Sequence, residues 1–246
     1  MFNILFRAFF AFFILIAHII KADSPNLTKL DLSLLQFNVV QNGNSNRKFI
    51  WLHGDEKTAK MALEYHIKKY KGTAYFIINE SREIKINGGI MDPNRIFSIE
   101  GAKKNLHKYN PYWSASKKKK ILEILNKDRD LLFLELFSNN QTLLVSLHNN
   151  FKGYNIKSEI SNSDEVSVKK NQNPRDFYLC TNKEDFEILS RSPFNVVLQE
   201  SPPKEDDGSL SWAALDNGVR YINIETRLGW LSMQKKMLKY IEDNLP

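Results

Sequence analysis

The chain has 246 residues, enough for one large domain or two small ones, and its 42% hydrophobic and 12% aromatic content excludes disordered, collagen-like and low-complexity readings. A single cysteine, Cys180, excludes an internal disulfide framework and any Cys-rich metal site, so a metal would need histidine and carboxylate ligands. The formal charge of +7 is spread along the chain, which does not favour nucleic acid as a partner.

At the N-terminus Arg7 precedes an apolar run from Ala8 to Ile20, and Ala22 offers a small residue before Asp23. A spanning helix needs roughly 20 apolar residues, so the run reads as a secretory signal over 1–22 and predicts a secreted or periplasmic protein, not an integral membrane one after cleavage. Residues 23–46 are turn-rich apart from Leu30 to Val40 and read as an entry segment on the domain surface. Arg47 to Leu52 predicts a buried strand. Ala59, Leu63, His66 or Ile67, and Tyr70 recur at helical spacing, Gly72 stops the helix, and Thr73 to Ile78 predicts the next strand. Strand, helix and strand within about thirty residues is the signature of a parallel crossover.

Downstream, Ile121, Leu125, Leu132 and Leu136 predict one long or two broken helices over 116–137, followed by a strand over 142–147 and a polar stretch over 149–173. A helix at 183–190, a strand at 195–199, a Pro/Gly/Asp-rich loop at 201–208, a strand at 220–224 and an amphipathic helix at 231–244 complete the chain. Helices alternating with apolar strands predict an α/β fold with a mostly parallel or mixed sheet. No repeat or linker divides it, so residues 23–246 read as one domain.

Chemistry is expected where such sheets place it, beyond the carboxyl ends of the strands. His53 follows the first strand, His148 the strand over 142–147, and Glu225 the strand over 220–224. A turn over 53–56 would bring Glu56 to the same point as His53. A catalytic zinc commonly takes three histidine or carboxylate ligands and leaves a fourth position open; His53, Glu56 and His148 supply that set for one ion. Such an ion lowers the pKa of water from ~15.7 to roughly 7. Glu225 is then the candidate to carry the proton to a leaving nitrogen.

His53-Gly54-Asp55-Glu56, Asp92-Pro93-Asn94-Arg95, Ser146-Leu147-His148-Asn149 and Ile222-Asn223-Ile224-Glu225, in that order over 49–230, resemble the zinc carboxypeptidase (carboxypeptidase A-like) family and its shorter relatives, the succinylglutamate desuccinylase/aspartoacylase group. The resemblance implies a three-layer α/β/α fold around a mixed sheet, with one zinc held by His53, Glu56 and His148. It also implies Glu225 as catalytic base and acid, Asn94 and Arg95 as the anchor of a substrate carboxylate, and Arg82 as the residue that polarises the scissile carbonyl. A guanidinium suits the anchor because it binds carboxylate in bidentate fashion. The substrate-covering tyrosine of the larger carboxypeptidases has no clear match, with Tyr154, Tyr178 and Tyr221 all open.

The function this predicts is an exported zinc hydrolase cleaving an amide or peptide bond near a free carboxylate, in a peptide or cell-wall peptide. The alternatives are an N-acyl amino acid deacylase and a non-catalytic binding protein on the same fold. His66 and Cys180 read as packing residues, His107 and the run Lys117 to Lys120 as surface. Two Ser-x-x-Lys matches, at Ser114 and Ser201, lack the companion motifs that would give them meaning.

Overall fold

The computed structural model describes residues 25–137, 141–151 and 153–246, so the expected leader at 1–22 lies outside the described residues. The strands are β1 (Asn26–Asp31), β2 (Gln36–Asn42), β3 (Arg47–Trp51), β4 (Gly72–Ile77), β5 (Ile84–Ile86), β6 (Gly89–Met91), β7 (Leu143–Asn150), β8 (Glu165–Ser167), β9 (Phe177–Cys180), β10 (Asn195–Leu198) and β11 (Arg220–Arg227). The α-helices are α1 (Lys57–Lys69), α2 (Ile99–Tyr109), α3 (Ala115–Leu136), α4 (Lys183–Leu189), α5 (Leu210–Asp216) and α6 (Leu231–Asn244). Among the described residues nine strands form one sheet in the order β1-β2-β4-β3-β7-β11-β9-β10-β8, and β5 and β6 form a separate hairpin.

The centre of the sheet is parallel. β4, β3, β7 and β11 run side by side in one direction, and every residue of β7 is buried. A strand covered on both faces has no polar alternation, which is why Leu143, Leu144 and Val145 read as a continuous apolar run. The side chains of β3 show what covers each face. Phe49 sets its ring against His66 of α1, with centroids 4.9 Å apart, while the neighbouring Lys48 donates to the Glu135 carbonyl of α3. Successive side chains on a strand point to opposite faces, so α1 and α3 lie on opposite sides, and the expected three-layer arrangement holds. α6 shares the α1 face: Tyr178 donates to the Met237 carbonyl at 2.8 Å.

Several expectations need correction, and α5, β5, β6 and β8 are elements the sequence reading does not contain. Residues 23–46 are not a surface entry segment, because β1 and β2 extend the sheet antiparallel beyond β4, with Phe37 fully buried. No element is predicted over 177–180, yet β9 pairs antiparallel with β11; four residues are too few to show a period. The helix α2 is likewise unpredicted, since Ala102 and Leu106 are its only buried apolar side chains and Gly101 stands in its first turn. Among the described residues no helix is long and apolar enough to cross a membrane.

Candidate active site and metal centre

The site forms along the carboxyl ends of the parallel strands. The chain leaves β3 into a tight turn in which the Glu56 amide donates to the His53 carbonyl at 3.1 Å, bringing both side chains to one point. Gly54 is required there: a Cβ would lie 2.3 Å from the Asn79 carbonyl oxygen. The turn leads into α1, whose start is tied to β7 by the Ala59 amide donating to Asn149 Oδ1 at 2.8 Å.

His148 and Glu225 do not follow their strands as expected; both lie inside them, because β7 runs to Asn150 and β11 to Arg227. They are register partners across the β7–β11 ladder. The polar ends Asn149, Asn150 and Thr226 could not be read as strand from their composition, but each is buried and paired. Asn149 donates to Gln234 of α6 and to Thr226, and Asn150 to the Arg175 carbonyl.

His53, Glu56 and His148 each offer a ligand atom, and these atoms lie within 4.8 Å of one another, all buried. Their chemistry fits a cation. Asp92 Oδ1 lies 2.8 Å from His53 Nε2, and the Asp92 pKa is depressed, with His53 and Arg82 outweighing the burial that would raise it. An ionised carboxylate only accepts, so His53 Nε2 carries the hydrogen and Nδ1 of the neutral ring carries a lone pair. That lone pair faces Glu56 Oε1 at 2.8 Å and His148 Nδ1 at 3.2 Å, while His148 Nδ1 faces Glu56 Oε2 at 3.0 Å. His53 Nδ1 and Glu56 Oε1 thus face each other as two acceptors with no hydrogen between them, which requires a positive centre. Without a metal a proton must serve. Burial would lower the His53 pKa, but the Glu56 charge and the hydrogen bonds to Asp92 and Glu56 raise it from 6.5 to about 9. Burial would likewise raise that of Glu56, but the two histidines draw it down from 4.5 to about 2.

Glu225 is buried beside this cluster. Its Oε1 accepts from Asn223 at 3.1 Å and its Oε2 from Asn150 at 3.2 Å. Burial raises its pKa and Glu56 adds to this, against the opposing pull of His148 and the two amides.

The cluster opens into a cavity of about 410 Å³ that runs down one face of β11, past Glu225, Asn223 and Tyr221. Asn94 and Arg95 line its wall. Asp92 caps the short helical turn that carries them, accepting from the Asn94 amide at 2.8 Å. Asn94 Oδ1 accepts from the Leu210 amide at 3.0 Å, and Arg95 lies 3.5 Å from Asp207. Arg82 also borders the cavity, donating to Glu56 Oε1 at 3.1 Å and lying 3.6 Å from Asp92. All seven sequence-derived site residues therefore meet at one cavity. Of the three tyrosines, Tyr154 and Tyr221 line it, while Tyr178 is buried against α6. His66 is buried in packing, His107 sits by Lys118 at the surface, and Cys180 is buried.

Asp92 was present in the sequence pattern without a role. Its signal is the Asp-Pro-Asn-Arg string itself, an aspartate cap followed by a proline at the first turn position. Glu159 and Gln199, also at the cavity, carry no sequence signal, since their meeting depends on the fold.

No protein-family model matches the chain, and no curated protein matches it. Among solved structures, the chain is similar to a protein from Shewanella denitrificans OS217 described as a "putative metallopeptidase", at 11% identity and a TM-score of 0.44 over 88% of this chain and 84% of that one. It is also similar to the apo ectoine utilization protein EutE (DoeB) from Ruegeria pomeroyi, at 14% identity and a TM-score of 0.45 over 88% of this chain and 64% of that one. Likeness at this level assigns neither family nor activity.

Proposed function

We propose that this protein is an exported zinc-dependent hydrolase of the carboxypeptidase A-like kind, cleaving an amide or peptide bond near a free carboxylate. The observation that carries the reading is the convergence of His53 Nδ1, Glu56 and His148 Nδ1 on one buried point, with Glu225 next to His148 in the same cavity. His53, Glu56 and His148 would hold the ion, and Asp92 would keep the His53 ring in the ligating tautomer. A zinc ion supplies Lewis acidity toward a carbonyl and makes water acidic near neutral pH.

The remaining work belongs to the chain. Glu225 takes a proton from water and delivers it to the leaving nitrogen, a task suited to a carboxylate whose pKa is raised by burial toward the working range. Arg95, with a third of its side chain exposed to the cavity, receives the substrate carboxylate and fixes the scissile bond relative to Glu225. Arg82 is the residue assigned to polarise the carbonyl; its guanidinium pairs here with Glu56 and Asp92. Export rests on the apolar run at 8–20.

The reading is tested by loading the purified protein with zinc and incubating it with panels of peptides and of N-acyl amino acids. Hydrolysis of free-carboxylate peptides supports a carboxypeptidase, and hydrolysis confined to N-acyl amino acids transfers the site to deacylation. Stoichiometric zinc with neither panel cleaved would overturn the hydrolase reading.

A further inference from the structure

The fold gathers onto one face the positive charge that lies spread along the sequence. Residues 57–71, which hold α1, and 231–244, which hold α6, carry eight lysines against Glu64, Glu242 and Asp243, so +5 of the formal +7 sits on 29 of the 246 residues. The two helices lie side by side on the same face of the sheet, with Lys235 of α6 set over the Tyr65 ring of α1 at 3.7 Å. The acids of this face are already engaged: Glu64 lies 3.9 Å from Lys60, Glu242 3.7 Å from Arg47, and Asp243 pairs with Lys239 at 2.5 Å. Among the described residues Lys68, Lys69, Lys71, Lys235 and Lys236 form no ion pair with a carboxylate. Asp23 is the one acid outside the described residues, too few for five lysines.

Two further observations say what such a face fits. Between the helices a cavity of about 160 Å³ is lined by Tyr65, Lys69, Tyr70, Lys235, Lys236 and Lys239, and Met61 and Tyr65, one turn apart on α1, are 53% and 48% exposed. Lysines around exposed tyrosine and apolar side chains suit the interface of a bilayer, where the ammonium groups meet headgroups and the ring sits at the apolar boundary. The path of the chain points to the same surface. β1 begins at Asn26, opposite Gln41 of β2, and the next residue, Asn42, donates to the Ile67 and Tyr70 carbonyls at the end of α1 at 2.8 and 3.1 Å. The apolar run at 8–20 is therefore followed by a chain that enters the described fold beside Lys68, Lys69 and Lys71.

We propose that the α1–α6 face docks on a bilayer containing anionic phospholipid, with Lys68, Lys69, Lys71, Lys235 and Lys236 on the headgroup phosphates and Met61 and Tyr65 at the interface. The negative potential of such a surface acts on every charge within a Debye length, so each lysine strengthens binding about fivefold. The opposite side of the sheet offers no equivalent. The 22 residues of α3 hold Lys117 to Lys120, Lys127 and Arg129, but Glu123, Asp128, Asp130 and Glu135 are interspersed and leave a net charge of only +2. Docking does not depend on the reaction proposed for the cavity.

The test is co-sedimentation of the full chain with vesicles of phosphatidylcholine alone and of phosphatidylcholine with phosphatidylglycerol, at about 0.1 M salt. The unaltered protein should prefer the anionic vesicles. Lys69→Gln, Lys235→Gln and Lys236→Gln together should lower the affinity for them by about 10²-fold and leave the neutral vesicles unchanged. Lys119→Gln, Lys120→Gln and Lys127→Gln together remove the same charge from the exposed side of α3 and should change little. All six side chains lie at the surface, so both triple variants should keep the Tm of the unaltered protein, and the run at 8–20 is present in all three forms. Equal losses in the two triple variants would make the attraction one of net charge and overturn the proposal, as would the absence of any preference for anionic vesicles. Retention on immobilised polyphosphate that only the α1–α6 variant loses, with no vesicle preference, would give the face to a soluble polyanion and overturn the bilayer as its partner.

Discussion

His53 donates from Nε2 to Asp92 Oδ1 at 2.8 Å, and the same aspartate oxygen accepts the Asn94 amide at 2.8 Å. One carboxylate thus sets the tautomer of a candidate metal ligand and the conformation of the turn carrying the candidate substrate anchor. Outer partners of this kind tune metal affinity by holding the ring in its ligating orientation.

Replacing Asp92 by asparagine keeps the shape and removes the charge. Zinc affinity should fall about 10- to 100-fold, the range typical for losing such a partner, while the fold persists. Competition against a chromophoric chelator measures it, and an unchanged affinity would deny Asp92 its role.

The ligand set predicts a sharper contrast. His148→Ala and His53→Ala should each lose stoichiometric zinc, because two remaining protein ligands hold the ion weakly. His66→Ala should keep it while lowering Tm, since that ring packs between Phe49 and Tyr70 at centroid distances of 4.9 and 4.7 Å. Metal analysis of the purified variants decides; full zinc occupancy in the His148 variant would refute the assignment.

The central strands and the gathering of the candidate residues at one cavity were legible in the sequence for the same reason. β3 and β7 are buried on both faces, so they appear as apolar runs; His53 stands out just beyond β3, and His148 at the end of the apolar part of β7, which continues to Asn150. What stayed hidden depended on tertiary partners. Asn149 and Asn150 belong to β7 although their side chains are polar, because Gln234 and the Arg175 carbonyl satisfy them in the interior. The β1–β2 hairpin has only one well-covered face, and its Asn and Gln residues masked Phe37. The Glu159–Gln199 pair joins residues forty positions apart whose meeting no local pattern encodes.

The acceptor cluster makes the stability of the metal-free protein depend on pH in a defined direction. His53 has its folded pKa raised from 6.5 to about 9, so its contribution is complete below pH 6.5 and is lost as pH rises through 9. Glu56 has its pKa lowered from 4.5 to about 2, so its contribution is complete above pH 4.5 and is lost as pH falls through 2. Chelator-treated protein should therefore show its highest Tm from this cluster between pH 4.5 and 6.5 and a decline toward pH 9. Zinc should flatten the alkaline decline, because the ion replaces the proton as the positive centre. Parallel Tm profiles with and without zinc would count against the cluster as its binding site.

Glu225→Gln separates proton transfer from metal binding. The glutamine keeps the side chain's shape and one acceptor oxygen for one of the two amide donors, Asn223 or Asn150, and it touches no ligand atom, so the zinc should stay. Turnover should drop by about 10²-fold or more, the lower range for loss of a general acid–base group. Steady-state kinetics on zinc-quantified protein tests this, and near-normal turnover would assign Glu225 a structural role.

Arg95 should show its function through the substrate's own charge. Its Nη1 donates to the Asn94 carbonyl at 2.6 Å and its Nη2 lies 3.5 Å from Asp207, so the guanidinium is held at the cavity wall with a third of its side chain free. Arg95→Ala removes a carboxylate anchor without touching the buried ligand cluster. KM should rise for substrates ending in a free carboxylate, and kcat should fall as well to the extent that the anchor positions the scissile bond. An amidated substrate should already be poor for the unaltered protein and should lose little more in the variant, because the deleted interaction was never made. Equal losses on free and amidated substrates would mean that Arg95 serves the fold through Asn94 and Asp207. The carboxylate would then have to be received by the other guanidinium at the cavity, that of Arg82.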